Sequence, residues 1–230
     1  MLKTIPDITI AVDGYSATGK STFAKMVAKD FGFLYLDSGA LYRAVTLFAL
    51  EQGYADGDRV DTDRLIPALE GLDVHFGEGS QTFIAGRSVE DSIRTLRVSS
   101  SVSPVAAIPQ VRAYVDRILH ESGRNGRVIM DGRDIGTTVF PDAELKIFVV
   151  ADEQVRAQRR YDELVSKGQS PKMDEVLANL RERDYIDSHR ETSPLRRAED
   201  AFVMDNSDMT LHEELVWLRG LVMGRFGILD

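Results

Sequence analysis

The 230-residue chain has no cysteine, one tryptophan and seven prolines. Without cysteine there are no disulfides, thiolate metal sites or cysteine nucleophiles, and a reducing compartment fits. Long apolar runs are missing too. None approaches the roughly 20 residues of a membrane span, and the N-terminal stretch lacks the basic-then-apolar pattern of a secretion signal. No membrane association and a cytoplasmic location are therefore expected. Positive charge is scarce as well, with 28 Lys and Arg against 37 Asp and Glu and a formal net charge of -9. That balance argues against sequence-independent binding of a nucleic acid polymer, so any polyanion site must be local. Internal repeats, low-complexity tracts and long linkers are also absent.

What is present is an alternation of short apolar runs and helical stretches. Ile8 to Val12, Phe33 to Leu36, Val128 to Met130, Leu145 to Val150 and Ala201 to Met204 read as buried parallel strands. Phe23, Met26, Val27 and Phe31 have helical spacing, as do Ile108, Val111, Val115 and Ile118, and Leu211, Leu215, Leu218 and Val222. Thr210 and Glu213 have capping-box spacing, and Pro109 suits a first helical turn. The expected fold is α/β, a doubly wound five-stranded parallel sheet flanked by helices, as one domain over 1–230. An aspartate closes each run, namely Asp13, Asp37, Asp131, Asp152 and Asp205. Ligands of such sheets bind outside the carboxyl ends of the strands, so several of these should border a site, while turn or helix-cap roles explain others, Asp152 above all. Leu72 to Phe76 and Thr82 to Ala85, joined by a glycine-containing turn, break the alternation and mark a small inserted subdomain spanning about 62–104.

Gly14, Tyr15, Ser16, Ala17, Thr18, Gly19, Lys20 and Ser21 fit G-x-x-x-x-G-K-[ST], with a strand before and a helix after. Glycines let successive backbone N–H groups point at phosphate oxygens, and the helix adds its positive end. Lys20 supplies a cation for the β and γ phosphates, and the Ser21 hydroxyl is placed for Mg²⁺, with Asp37 or Asp131 the candidates to join it through water. With Thr22, these residues form the expected ATP site.

The acceptor must be read elsewhere. No guanine-specific Asn-Lys-x-Asp segment occurs, and the chain is short for a motor. Arg156, Arg159 and Arg160 share one face of a helix expected over about Asp152 to Lys167, and Ser170 and Pro171 open a second. This pair, about 155–172, resembles a lid that closes over transferred phosphate; a solvated face paired with Asp162 and Glu163 is the plainer alternative. In the second helix the apolar stripe of Val176 and Leu180 continues into Arg183, Asp187 and Arg190, so that stripe is expected to face a polar cavity. A kinase is favoured. A kinase for a non-nucleotide acceptor such as a sugar acid, and a regulator that binds ATP without transfer, remain as alternatives.

The chain resembles the bacterial-type cytidylate kinases, which phosphorylate CMP and dCMP with ATP. Beyond the P-loop, the likeness rests on Leu36-Asp37-Ser38-Gly39-Ala40-Leu41-Tyr42-Arg43, on Asp131-Gly132-Arg133-Asp134-Ile135-Gly136-Thr137 followed by Val139-Phe140-Pro141-Asp142-Ala143, and on Arg183-Asp184 with Asp187 and Arg190. It implies that Ser38, Tyr42, Arg43, Ser103, Arg112, Arg133, Asp134, Arg183, Asp187 and Arg190 form the CMP site. Within it, Ser103, Arg112 and Asp134 would read cytosine, Arg43, Arg133 and Arg190 would clamp the α-phosphate, and Arg183 and Asp187 would take the ribose hydroxyls. Lys20, Arg156, Arg159, Arg160 and Arg190 would neutralise charge on the transferring group. The insert would be the monophosphate-binding region, ATP and CMP or dCMP the partners, Mg²⁺ the cofactor and a monomer the working unit. Three positions depart from the family pattern: Tyr15 replaces a common proline, Ser38 a common threonine, and Pro104 beside Ser103 is unusual.

Overall fold

The computed structural model describes residues 5–227. The chain opens with β1 (Thr9–Gly14), α1 (Lys20–Phe31), β2 (Leu34–Asp37) and α2 (Ser38–Glu51). An excursion follows: the short hairpin of β3 (Ala55–Asp56) and β4 (Arg59–Val60), α3 (Thr62–Ala68), an antiparallel sheet of β5 (Val74–Phe76), β6 (Thr82–Ile84) and β7 (Arg87–Ser88), and α4 (Leu96–Ala106). α5 (Pro109–Gly123) leads back to β8 (Val128–Gly132). β9 (Leu145–Val150), the consecutive helices α6 (Glu153–Ser166) and α7 (Met173–His189), β10 (Phe202–Asp205) and α8 (Leu211–Phe226) complete the order.

The five main strands are parallel in the order β10-β9-β1-β8-β2. Alternate side chains of β1 enter different layers: Ile10 and Val12 pack with Phe23 and Val27 of α1 and Leu218 of α8, whereas Ala11 joins Leu41 of α2 and Val111 of α5. A strand buried on both faces must be apolar throughout, which is why the runs read as continuous. The layer around Ala11 continues without a break into Leu65, Val74, Ile84 and Val98 of the excursion, so that segment shares a core with the sheet. Because β1 lies between β8 and β9, the order reverses beside it, and a crevice opens past the carboxyl ends of β1, β2 and β8.

All five expected strands form within two residues of their sequence limits, and Thr210 caps α8 with the full reciprocal capping box. The excursion holds β7 and the β3–β4 hairpin in addition, elements of two residues each that carry no readable period. The second helix of the pair starts later than Ser170 and Pro171 suggest. Proline disfavours a helical residue before it, and Lys172 is itself extended, so α7 begins at Met173, with Asp174 and Glu175 at its positive end. Arg190 is likewise the extended C-cap of α7 and leaves the helical stripe, reaching its partners from the chain that turns away.

Gly14 shows how closely the strands define the site. Its φ is +150°, and a β-carbon there would lie 2.2 Å from the Val149 carbonyl oxygen of the neighbouring strand. Gly14→Ala should therefore lower stability by on the order of 3 kcal/mol or more, read as a drop in the urea midpoint. Gly53→Ala, at φ +66° with open space around it, should cost only about 1 kcal/mol.

Candidate active site

The loop from β1 to α1 takes left-handed conformations at Ala17 (φ 59°) and Gly19 (φ 88°), which turn its peptide groups inward. An alanine in that region stores strain. Ala17 holds it while packed against the small apolar core of α6 and α7, formed by Ala157, Leu164, Val176 and Leu180. No side chain caps the N-terminus of α1 and no acid lies in its first turn, so its N–H groups and positive end stay free for an anion. Lys20 is buried and folds back to donate to the Tyr15 carbonyl at 2.5 Å and to Thr18 Oγ1 at 3.2 Å. Burial, then Arg133, hold its pKa well below the usual lysine value despite nearby Asp131 and Asp13.

Behind Lys20, Ser21 Oγ donates to Asp131 Oδ2 at 2.8 Å and the Tyr35 hydroxyl to Asp131 Oδ1 at 2.7 Å. Burial, then Asp37, push Asp131 up to about 6. These donors are all oxygens, which suits a hard cation. Among the described residues no group of three His, Cys, Asp or Glu could hold a metal unaided. The arrangement fits an ion that keeps water and takes its other ligands from phosphate, as Mg²⁺ does.

Across the crevice the positive charges divide into two kinds. Arg112, 1% exposed, donates to Asp134 and to the Ala106 carbonyl, and Arg190 donates to Asp134 Oδ1 at 3.1 Å. Arg133 donates to Asp187 Oδ2 at 2.8 Å. Burial alone would raise Asp187, yet Arg133, Arg190 and Arg183 together hold it below the ordinary aspartate value. Arg183 is different: its Nε is buried without a hydrogen-bond partner, as are those of Arg112 and Arg156, but unlike them it has no ion-paired carboxylate among the described residues. Burial, then Arg43 and Arg133, push it down to about 9. A guanidinium repelled by its neighbours and short of partners marks where an anion is needed.

One cleft of about 480 Å³ joins the two halves. Ala17 to Thr22 line one part of it. Ser38, Tyr42 and Arg43 from α2, Ser103 from α4, and Arg133 and Asp134 after β8 line the opposite part. Arg160 from α6 and Arg183, Asp187 and Arg190 from α7 cover both. A family model described as cytidylate kinase matches residues 10–217. A cytidylate kinase of Bacteroides thetaiotaomicron is 50% identical over 216 residues, covering 92% of this chain and 94% of its own. One of Flavobacterium psychrophilum is 47% identical over 220 residues, covering 94% and 97%.

The chain belongs to the cytidylate kinase family. It is a P-loop nucleoside monophosphate kinase, and ATP-dependent phosphorylation of CMP or dCMP, the activity implied by the sequence, is what its site must explain. The solved structure of TT1252 from Thermus thermophilus is similar in fold alone, with a TM-score of 0.51, 19% identity and coverage of 94% of this chain and 96% of its own.

Not every residue named from the sequence of this cytidylate kinase family member reaches the cleft. Gly14, Tyr15 and Ser16, the start of the P-loop, do not line it, and Arg112 sits beneath Asp134. Arg156 and Arg159 share a face with Arg160 but turn to the outside of the P-loop: Arg156 donates to the Ser16 carbonyl, and Arg159 to the Thr18 carbonyl and to Asn206. Arg160 pairs with Glu163 at 2.7 Å, and both line the cleft. Of the five strand-end aspartates, Asp37 and Asp131 border the cleft, while Asp152 sits at the N-cap of α6 without a side-chain cap bond and Asp205 binds Ser207. Lys25 and Arg94 line the cleft unanticipated, Arg94 bonding to Glu90 and Asp37. Arg94 stands in no periodic pattern, so only its place in space shows its role.

Asp13 accepts from the amides of Ile135 and Gly136, both at 2.8 Å, and so fixes the turn that carries Arg133 and Asp134. Burial overcomes those two bonds and pushes it up to about 7. A carboxyl with a raised native value adds stability that is present in full below about pH 4 and lost as pH rises through about 7. The stability gap between the wild type and Asp13→Asn should therefore be wider near pH 5 than near pH 8, as read by urea titration at both values.

Proposed function

We propose that this chain transfers the γ-phosphoryl group of ATP to CMP or dCMP across the 480 Å³ cleft, with ATP on the P-loop and the monophosphate on the arginine side. The single observation that carries the reading is Arg183, without an ion-paired carboxylate among the described residues, beside Arg43 and Arg133 in the cleft that the P-loop also lines. In a protein of net charge -9, such a cluster has use only if anions enter from both ends.

The acceptor phosphate is itself the nucleophile near neutral pH, so no dedicated general base is required, and the protein supplies position and charge. Backbone amides from Ala17 onward and Lys20 would hold the donor phosphates. Arg43 and Arg133 would clamp the acceptor phosphate, Arg190 would bridge it to the base site, and Arg183 with Asp187 would meet the ribose and the transferring group. Mg²⁺, held by Ser21 with Asp37 or Asp131 through water, would withdraw charge from the donor phosphates. The insert around Ser103 and the α6–α7 pair around Arg160 would close over both nucleotides as monophosphate-binding region and lid and exclude water. Arg156 and Arg159 would serve by holding the loop that carries the donor.

Cytosine follows from Asp134 and Ser103. Asp134 is ion-paired on both oxygens and still has lone pairs free for the exocyclic amine, while Ser103 offers a hydroxyl to the ring acceptors. Uracil would turn an acceptor toward that carboxylate. With ATP and a panel of monophosphates, ADP release should be fastest with CMP or dCMP, and equal turnover of AMP or GMP would remove the cytidine assignment. Lys20→Ala should lower turnover by on the order of 10³-fold with an unchanged urea midpoint; wild-type turnover there would exclude the proposed chemistry.

A further inference from the structure

Ser16 belongs to the P-loop but does not line the cleft, and it is 2% exposed. It is held from three directions. Its N–H donates to Asp184 Oδ1 at 3.0 Å, its carbonyl accepts from Arg156 Nη1 at 3.1 Å, and its hydroxyl accepts from Arg133 Nη2 at 3.0 Å. Arg156 also donates to Asp184 Oδ2 at 2.5 Å, so one carboxylate–guanidinium pair spanning α6 and α7 brackets the residue. The pairing matters electrostatically, because a lone carboxylate this close to the loop would repel a triphosphate.

The third link connects the loop to the other half of the cleft. Arg133 donates its Nε to Asp187, which stands three residues after Asp184 and so about one turn along α7. One turn of helix thus grips the donor loop with its first carboxylate and an acceptor-side arginine with its second, and Ser16 closes the circuit. The Ser16 amide is committed to a carboxylate, in keeping with a cleft lining that begins at Ala17.

We propose that Asp184 is a positioning residue that couples the two nucleotide sites: by fixing Ser16 against Arg133 and Asp187, it lets occupation of the P-loop pre-order the acceptor arginines, and the reverse. The proposal rests on the assignment of ATP to the P-loop and of the monophosphate to the Arg133 side. Coupling of this kind is reciprocal and is measured as a ratio of affinities.

Calorimetric titration of CMP into the whole protein, with and without Mg²⁺ and a saturating non-hydrolysable ATP analogue, gives that ratio. The wild type should bind CMP at least about fivefold more tightly with the analogue present, the low end of ordinary coupling between sites. Asp184→Ala should reduce the ratio below about twofold, and so should Ser16→Ala, which removes only the hydroxyl link to Arg133. An Asp184→Ala protein that binds both nucleotides more weakly but keeps the wild-type ratio overturns the proposal, because loosened packing weakens each site separately without uncoupling them. If Asp184→Ala does not fold, Ser16→Ala decides, and an unchanged ratio there overturns it equally. A wild type that binds CMP with a flat ratio sinks the coupling alone, whereas one that does not bind CMP removes the site assignment and the coupling together.

Discussion

Burying several guanidinium groups in one cleft is the physical problem that the rest of this structure answers. Each buried charge loses hydration, and like charges nearby add repulsion. The protein divides the arginines by what stands behind them. Arg112 and Arg190 share Asp134, Arg133 has Asp187, and Arg156 has Asp184. Removing one member of such a buried pair leaves the other uncompensated, at about 3–5 kcal/mol. Arg183 has no such backing among the described residues and is pushed down to about 9. The paired arginines form a scaffold, and the charge left over lines the cleft.

That division depends on where the fold delivers carboxylates. Asp134 follows β8, while Asp184 and Asp187 project from α7. The sheet order sets the end of β8 beside the end of β1, so the turn carrying Arg133 and Asp134 lies next to the P-loop and is pinned there by Asp13. α7 approaches from above through the apolar contacts of Val176 and Leu180 with Ala157 and Leu164, and Ala17 of the loop joins the same cluster. A few buried methyl and isobutyl groups therefore determine how far the acidic face of α7 stands from the phosphate loop.

Sequence patterns carried the architecture well where a period was long enough to be read. The five strands, the P-loop between β1 and α1, the capped last helix and the turn of the Leu180 stripe toward a polar cavity all follow from spacing and residue type. Spacing does not say what a face looks at. Arg156, Arg159 and Arg160 have one periodicity and two destinations, since the P-loop backbone passes under the first two and the cleft opens beside the third. Asp184 stands next to Arg183 in a quoted motif, yet its partner is a backbone amide 168 residues away, which no side-chain pattern encodes. The short strands β3, β4 and β7 are too brief to show alternation, and Arg94 reaches the cleft by virtue of the excursion's packing alone.

On the proposed assignment, Arg112 would serve base recognition without touching the base. It lies at the bottom of the acceptor pocket, bonded to Asp134 and to the Ala106 carbonyl, with Tyr42 under its guanidinium at 5.1 Å. Those contacts fix its plane, and its plane fixes the carboxylate of Asp134, whose second oxygen is tied to Arg190. A carboxylate with both oxygens anchored has little freedom to rotate, and a carboxylate carries acceptors alone. It can therefore offer only acceptors to a ligand, and a base edge presenting a donor fits where one presenting an acceptor leaves two like dipoles opposed and dry. On that assignment, discrimination would come from the rigidity of the pair beneath the ligand as much as from any contact with it, and Arg112 would contribute through the buried bonds that hold its plane.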